Sequence, residues 1–307
     1  MTVVSLVKGD DRFENVLMAL EGAGDEVADK VHGNVIIKVN TVMHKDEGVL
    51  ANTQPDAIRA VLEYLKRFKT DRIWVGEASR NPMELFKENN YLQLKDNYDF
   101  EFIDFNTLGY DDFQTISIDD TPIKARITRA YKEFDCLISL SVPKAHSDAV
   151  VTLSGKNMMG FVKEADKDSI WHIHGVREFG RDDNLAQCTH TIHKNLRTLL
   201  KLVRPDIAVL DAFHSFEAGT VPQCAKGDYV EPRFALAGAD FVAVDTIAAT
   251  LLGFNPLDVG YLVYAAEDGY GTLALSRITI AGNSSLEEAR FPLKPPPRFE
   301  KLVQWRD

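Results

Sequence analysis

Cysteine is scarce in this chain. Among its 307 residues only three occur, Cys136, Cys188 and Cys224, and no two of them form a CxxC pair. This usage provides neither a disulfide framework nor the ligands of an iron–sulfur cluster, so we expect no such cluster and a reducing compartment. No apolar run approaches the roughly 20 residues of a membrane span, and the N-terminal run is too short for a signal peptide. These absences predict a cytoplasmic protein with no membrane partner.

An excess of positive charge is also missing, since the formal net charge is −11 at pH 7. Nucleic acids and anionic membranes attract basic surfaces, so we expect neither of them as the main partner. The spacing GxxxxGK[ST] is absent around Lys156, and GADFVAVD lacks the GxGxxG fingerprint. A nucleoside triphosphatase is therefore rejected, and a dinucleotide-binding site has no support from the sequence. The net charge is compatible with a local basic pocket for a small anionic ligand. It is also compatible with a homo-oligomer.

Apolar runs and helical patterns alternate along the chain. The pattern predicts strands at 3–7, 34–40, 72–76, 100–105, 136–142, 207–211, 234–238 and 277–281. It predicts helices at 13–20, 56–68, 82–90, about 182–203, 242–252 and 257–266. Such alternation predicts an α/β fold with a mostly parallel sheet and helices on both faces. We expect two lobes with a cleft at the C-terminal ends of the strands: an N-terminal lobe at 1–204, a C-terminal lobe at 205–285 and an extended tail at 286–307. A single domain over 1–285 is the alternative.

Polar side chains stand at or just past the ends of four predicted strands: Lys38 and Asn40, Glu77, Lys144 and His146, and Asp211. Ligands of open α/β sheets bind at that edge. Lys156 and Asn157 follow between Gly155 and Gly160, whose backbone amides could approach an anion. Because an unpaired buried charge lowers the stability of the folded protein, these residues are not expected in a hydrophobic core. They predict a site for a small anion, although exposed loop residues are the plainer alternative.

The residue types suggest roles. His146 would move a proton, Glu77 would orient His146 or serve as its catalytic partner, and Lys156 would act as a basic or covalent lysine. The remaining members would bind the substrate: Lys38, Asn40, Lys144, Asn157 and Asp211. The hypothesis is an enzyme for a small carboxylate or phosphate, with isomerase-like or metal-assisted chemistry as an extension. The alternative is a non-catalytic carrier of an anion or a metallocofactor.

Histidines offer a metal site. His172 and His174 form an HxH pair, which points to one face if the segment is extended. Two imidazoles on one face can hold a divalent metal, although a hydrogen-bonded structural role is equally open. His190 and His193 lie on a predicted helix and are expected on its solvated face. Asp245 is expected to bond the backbone of a neighbouring loop.

Several segments carry a recurring pattern: IKVN, NTQPDAIRAVLEYL, VGEAS, DCLISLSVPKAH, VTLSGKNMMG, RPDIAVLDAF and LAGADFVAVDTIAATLLG. From about residue 35 to 271 this pattern resembles the uncharacterised family named domain of unknown function 362 (DUF362). Some members of that family carry a ferredoxin-like cysteine segment, which this chain lacks. The resemblance therefore implies a shared fold but no cluster on this chain, and the family name states no reaction.

Residues 135–172 also resemble, more distantly, the nickel-pincer lactate racemase group. That resemblance implies Lys156 as the covalent anchor of the pincer cofactor, His172 as a nickel ligand and His146 as a general acid/base residue or a substrate contact. It leaves a divalent metal, nickel or zinc, open as a cofactor. The chain departs from the group where its second motif reads GEASR, without the catalytic histidine of GTHR. Two-base racemisation needs a proton acceptor on each side of the carbon, so this departure argues against racemisation.

Overall fold

A computed structural model describes residues 1–44, 49–167, 184–218 and 229–306. The strands are β1 (Thr2–Lys8), β2 (Asn34–Lys38), β3 (Arg72–Glu77), β4 (Glu101–Asp104), β5 (Tyr110–Ile116), β6 (Pro122–Thr128), β7 (Cys136–Ser141), β8 (Lys144–His146), β9 (Val150–Thr152), β10 (Ile207–Ala212), β11 (Ser215–Phe216), β12 (Tyr229–Val230), β13 (Phe234–Gly238) and β14 (Ile278–Gly282). The α-helices are α1 (Arg12–Gly22), α2 (Asp25–Ala28), α3 (Pro55–Leu65), α4 (Pro82–Glu88), α5 (Ser154–Asn157), α6 (Leu185–Leu202), α7 (Phe241–Leu251), α8 (Gly260–Glu267), α9 (Leu286–Ala289) and α10 (Phe299–Leu302).

Eight strands form a central sheet in the order β14-β1-β13-β10-β7-β2-β3-β4. Strand β13 runs antiparallel to both of its neighbours, and the other neighbouring pairs are parallel. All six residues of β7 are buried, as expected for a central strand covered on both faces. The prediction of an α/β fold with a mostly parallel sheet is confirmed.

Helices cover both faces of this sheet. Along β2, Val35 and Ile37 belong to one hydrophobic core and Ile36 belongs to the other, because successive side chains of a strand point to opposite faces. The core that contains Val35 takes its helical residues from α1 to α4, whereas the core that contains Ile36 takes them from α6 to α10. Of the described helices, none is both long and apolar enough to cross a membrane.

Strands from both sides of Pro205 are neighbours in this sheet, since β7 pairs with β10 in parallel. This is the arrangement expected from the single-domain alternative, and the division into lobes at 204/205 stays a prediction. The segment predicted as an extended tail contains α9 and α10 and buries Leu302 and Trp305. Apolar side chains at these positions hold the segment against the body of the protein.

Short strands beyond β7 carry part of the pocket described below. A second sheet has the order β12-β11-β8-β9, and β5 and β6 form a separate hairpin. In the second sheet Lys144 of β8 lies opposite Thr152 of β9. The sequence pattern missed β8 and β9, because a three-residue strand is too short to display a period.

Candidate functional site

A pocket of about 350 Å³ lies at the C-terminal ends of β2 and β3, beside β8 and α5. Seven residues named from the sequence line it together: Lys38, Asn40, Glu77, Lys144, His146, Lys156 and Asn157. They come from four separate stretches of the chain. Apart from the partly exposed Asn40, all are buried. The structure thus brings most of the expected polar residues to one edge of the sheet.

Lys38 and Glu77 form a buried ion pair in the floor of the pocket. Lys38 Nζ donates to Glu77 Oε2 at 2.7 Å, to the carbonyl oxygen of Val39 at 2.6 Å and to Asn157 Oδ1 at 3.4 Å. These contacts use all three protons of the ammonium group. Burial lowers the pKa of Lys38, and the charge of Glu77 opposes that effect.

The carboxylate of Glu77 is held by the backbone as well. Its Oε1 accepts from the amide of Ala78 at 2.9 Å, and its Oε2 accepts from the amide of Thr41 at 3.3 Å in addition to Lys38. Gly160 packs directly on the pair, where a Cβ would overlap with the Lys38 ammonium and with Glu77 Oε1. Glycine is therefore the residue that fits at this position.

Lys144 stands on β8 and is positioned by two oxygen atoms. Its Nζ donates to Asn40 Oδ1 and to the carbonyl oxygen of Ala51, the latter at 2.8 Å. The amide of Asn40 in turn donates to Thr53 Oγ1 at 2.8 Å. Asn40 therefore serves to aim the lysine, and the ammonium lies on the pocket wall at a defined place.

His146 is held in one tautomer. Its Nδ1 accepts hydrogen bonds from the amides of Asp148 at 3.1 Å and Ala149 at 3.3 Å. A nitrogen that accepts from amides carries a lone pair, so the proton of the neutral ring sits on Nε2. Burial, with Lys156 and Lys144 nearby, lowers the pKa of His146 well below its ordinary value. At neutral pH this side chain is a neutral hydrogen-bond donor.

Lys156 projects from α5, a single helical turn. Burial lowers the pKa of Lys156 to about 7, with Lys144 and Lys167 adding to the effect and Asp148 opposing it. The turn is anchored by Asp245 of α7, which accepts from the amides of Ser154 and Gly155, both at 2.9 Å. The structural role predicted for Asp245 is confirmed. The amide of Gly155, which we expected to approach an anionic ligand, bonds this internal carboxylate.

Gly160, which was named from the sequence together with Gly155, also lines the pocket. The other lining residues were not singled out from the sequence as site members: Val42, Met43, Ser79, Arg80, Thr152, Met159, Glu164 and Lys167. Among the lining residues that the structure describes, lysine and arginine outnumber glutamate by five to two. Arg80 follows directly on the VGEAS motif, so its position past β3 was a usable signal. Lys167 lies in a polar segment that offered none. The pocket is basic although the protein as a whole is acidic.

Asp211 does not join the pocket residues. Its carboxylate pairs with Arg12 of α1, with 3.0 Å between Arg12 Nε and Asp211 Oδ2. The reason is that successive side chains of a strand point to opposite faces of the sheet. Asp211 shares a face of β10 with Val209, which belongs to the core that contains α1 and α3. Lys38 shares a face of β2 with Ile36, which belongs to the core on the other side of the sheet. The prediction that Asp211 reaches the same hollow is wrong, because only its end of the strand was considered.

His172 and His174 lie outside the described residues, so their predicted metal role stays a prediction. Within the described ranges there is no group of three or more His, Cys, Asp or Glu side chains that could hold a metal ion. Of the residues named through the pincer resemblance, Lys156 and His146 lie in the pocket.

The solvated position predicted for His193 is wrong. This side chain is fully buried, with its ring centre 5.3 Å from that of Trp305 and 5.9 Å from that of Tyr261. Burial lowers the pKa of His193 to about 3. The apolar stripe of α6 indicated one buried face, but the C-terminal segment covers a second one, where His190 Nδ1 lies 2.7 Å from the carbonyl oxygen of Trp305.

Comparison with known proteins identifies the family of this chain. A family model described as a domain of unknown function (DUF362) matches residues 35–250. The chain belongs to this family. A DUF362 relationship was expected from the sequence motifs, and it is confirmed. A thylakoid-associated protein of Synechocystis sp. is 25% identical over 289 residues, which cover 92% of this chain and 78% of that protein.

Among solved structures, the lactate racemase apoprotein of Thermoanaerobacterium thermosaccharolyticum is similar, with 15% identity and a TM-score of 0.44. The match covers 78% of this chain and 54% of that one, so the chain spans about half the length of the racemase. This similarity assigns no role to any residue here.

Proposed function

We propose that this DUF362 protein is an enzyme that binds a small carboxylate or phosphate in the pocket and acts on it by acid/base chemistry. The observation that carries the proposal is the meeting of Lys144, Lys156 and a neutral His146 in one basic pocket of an acidic protein. A pocket of an acidic protein in which cationic side chains meet a neutral hydrogen-bond donor is typical of anion binding.

The roles follow from the hydrogen bonds. Lys144 and Lys156 would hold the anion, and His146 would donate from Nε2 to an oxygen on which negative charge develops. Glu77 and Lys38 already satisfy each other, so we assign them to the support of the site. Asn40 and Asn157 would aim Lys144 and Lys38, to which they are bonded.

Calorimetric titration of the full chain with small carboxylates and with inorganic phosphate tests the proposal. Lys144→Met should weaken binding by roughly 10- to 100-fold, because a hydrogen bond to a charged group contributes about 1.5–3 kcal/mol. Lys69→Met, at an exposed lysine away from the pocket, is the control and should bind like the wild type. Equal affinity of both variants for every anion would contradict the proposal.

The proposal extends to a cofactor and a location. A nickel or zinc ion at His172 and His174 is the metal-assisted version, and elemental analysis with intact mass of the purified protein tests it. The cysteine usage favours the cytoplasm, whereas the Synechocystis relative is named for its association with thylakoids. Cell fractionation with an antibody to the chain would decide between these locations.

A further inference from the structure

The geometry points to a covalent role for Lys156: its amine forms a Schiff base with an α-keto acid held in the pocket. This inference rests on the proposed function, since it names the substrate class of the same site. Three features carry it: the anchored backbone that carries the lysine, the groups that line the same pocket, and the way in which the pocket can bind an anion.

The amine is presented by a rigid support. Lys156 is 4% exposed, and its helical turn is anchored by the buried Asp245 carboxylate through the amides of Ser154 and Gly155. The hydroxyl of Ser154 donates to the same carboxylate. A lysine on a free loop would lose rotational freedom on reacting, whereas here the backbone is already held.

The facing groups match the two ends of an α-keto acid. Lys144, aimed by Asn40 and by the carbonyl oxygen of Ala51, provides a cation for the carboxylate. His146, with its proton on Nε2, provides a neutral donor for the carbonyl oxygen. Arg80 and Lys167 complete the basic wall, and Met43 and Met159 supply an apolar one for the rest of the ligand.

A carboxylate suits this pocket better than a phosphate. Phosphate sites in proteins commonly use backbone amides at the start of a helix. Here the amides of Ser154 and Gly155 at the start of α5 are bonded to Asp245. The anion is then bound by side chains, among which Lys144 provides the cation for a carboxylate and His146 the donor for the carbonyl oxygen beside it.

The amine is also nucleophilic near neutral pH. The groups that act on it are Lys144 and Lys167, which lower its pKa together with burial, and Asp148, which raises it; His146 and His193 also interact with its charge. With a pKa of about 7, a large share of Lys156 is the free base above neutral pH.

The step balances without any further reagent. Lys156 Nζ bonds to the carbonyl carbon while the C=O π bond breaks, and His146 Nε2–H hydrogen-bonds to the oxygen on which charge develops. The two protons of the amine pass to that oxygen, which leaves as water, and a C=N bond remains. Protonation of this nitrogen from solvent gives an iminium group, which withdraws electrons from the bonds beside it.

Trapping with borohydride tests the inference on the full-length protein. Pyruvate, phenylpyruvate and oxaloacetate are added one at a time, the imine is reduced, and the product is analysed by intact mass and peptide mapping. We expect the mass to rise by that of one keto acid less one oxygen atom, with the modification on Lys156. Lys156→Arg, which keeps the cation, should give no such adduct, and Lys69→Arg should react like the wild type.

The outcomes separate this inference from the proposed function. Calorimetry with propanoate, phenylpropanoate and succinate reports anion binding without a carbonyl group. If these bind but no keto acid labels Lys156, the Schiff base is refuted and the proposed function stands. An adduct that forms equally in Lys156→Arg also refutes it. If neither binding nor labelling is found, both proposals fail.

Discussion

Replacing Lys156 with methionine should stabilise the protein at neutral pH, even though it removes the amine on which the proposed chemistry depends. The ammonium form of Lys156 is penalised by burial and by neighbouring lysines, and methionine fills a similar volume without a charge. Functional sites commonly carry such a cost in stability. The size of the gain and its dependence on pH both follow from the pKa of this one side chain.

The pKa of Lys156 is about 7 in the folded protein and 10.5 in the unfolded chain. Below about pH 7 both states are protonated, and the folded state bears the full penalty of ~5 kcal/mol. Above pH 7 the folded state releases its proton while the unfolded state keeps it, so the wild type gains stability as the pH rises. By about pH 9 the penalty has fallen to ~2 kcal/mol. The advantage of Lys156→Met should shrink by the same amount.

Urea unfolding of wild type and variant at about pH 6 and about pH 9 measures this effect, because the unfolding free energy is obtained at each pH. We expect the difference between the two proteins to fall by ~2–3 kcal/mol between these conditions. Lys69→Met reports the effect of removing an exposed lysine and should follow the wild type. Parallel pH profiles for the wild type and Lys156→Met would refute the reasoning, since they would mean that the amine is charged at no cost.

Three further outcomes are expected. Gly160→Ala should lower the unfolding free energy by ~1–3 kcal/mol and weaken anion binding, because the added methyl group overlaps with the Lys38 ammonium; an unchanged urea midpoint would contradict this. Asp245→Ala removes the carboxylate that anchors α5 and should cost ~1–2 kcal/mol in the same assay, with faster amide hydrogen exchange in α5 as the local readout. Cys136 should resist alkylation until the protein unfolds, because burial raises the pKa of its thiol to about 12, and mass spectrometry after iodoacetamide treatment checks this.

Much of the fold could be predicted because its strands are buried on both faces. Such strands are near-continuous apolar runs, so β7 and β10 could be recognised in the sequence. Polar residues at or just past the ends of such runs indicated the edge of the sheet at which the pocket lies. The order of the strands could not be predicted, since it depends on pairing between distant segments. The antiparallel strand β13 is the clearest case: nothing in Phe234–Gly238 distinguishes it from the strands that pair in parallel elsewhere in the sheet.

The position of the pocket at this edge of the sheet could be predicted, but which residues line it depends on the direction in which each side chain points. Lys38 and Asp211 both end a buried strand, yet they point to opposite faces of the sheet. Distinguishing them required the register of each strand relative to its neighbours. The burial of His193 was missed for another reason, because Trp305, one of the residues that cover it, is more than a hundred positions away in the chain.

The lysines of the pocket differ in their electrostatic surroundings. The three protons of Lys38 are all donated within the protein, and both oxygens of its partner Glu77 accept from the backbone or from Lys38. A ligand could engage this pair only by breaking a buried bond. Lys156 instead sits where burial favours the neutral amine, and an incoming anion would restore its charge by raising its pKa again. Binding of an anion and protonation of Lys156 are therefore linked, so anion binding should take up a proton near neutral pH, whereas imine formation requires the same amine without one.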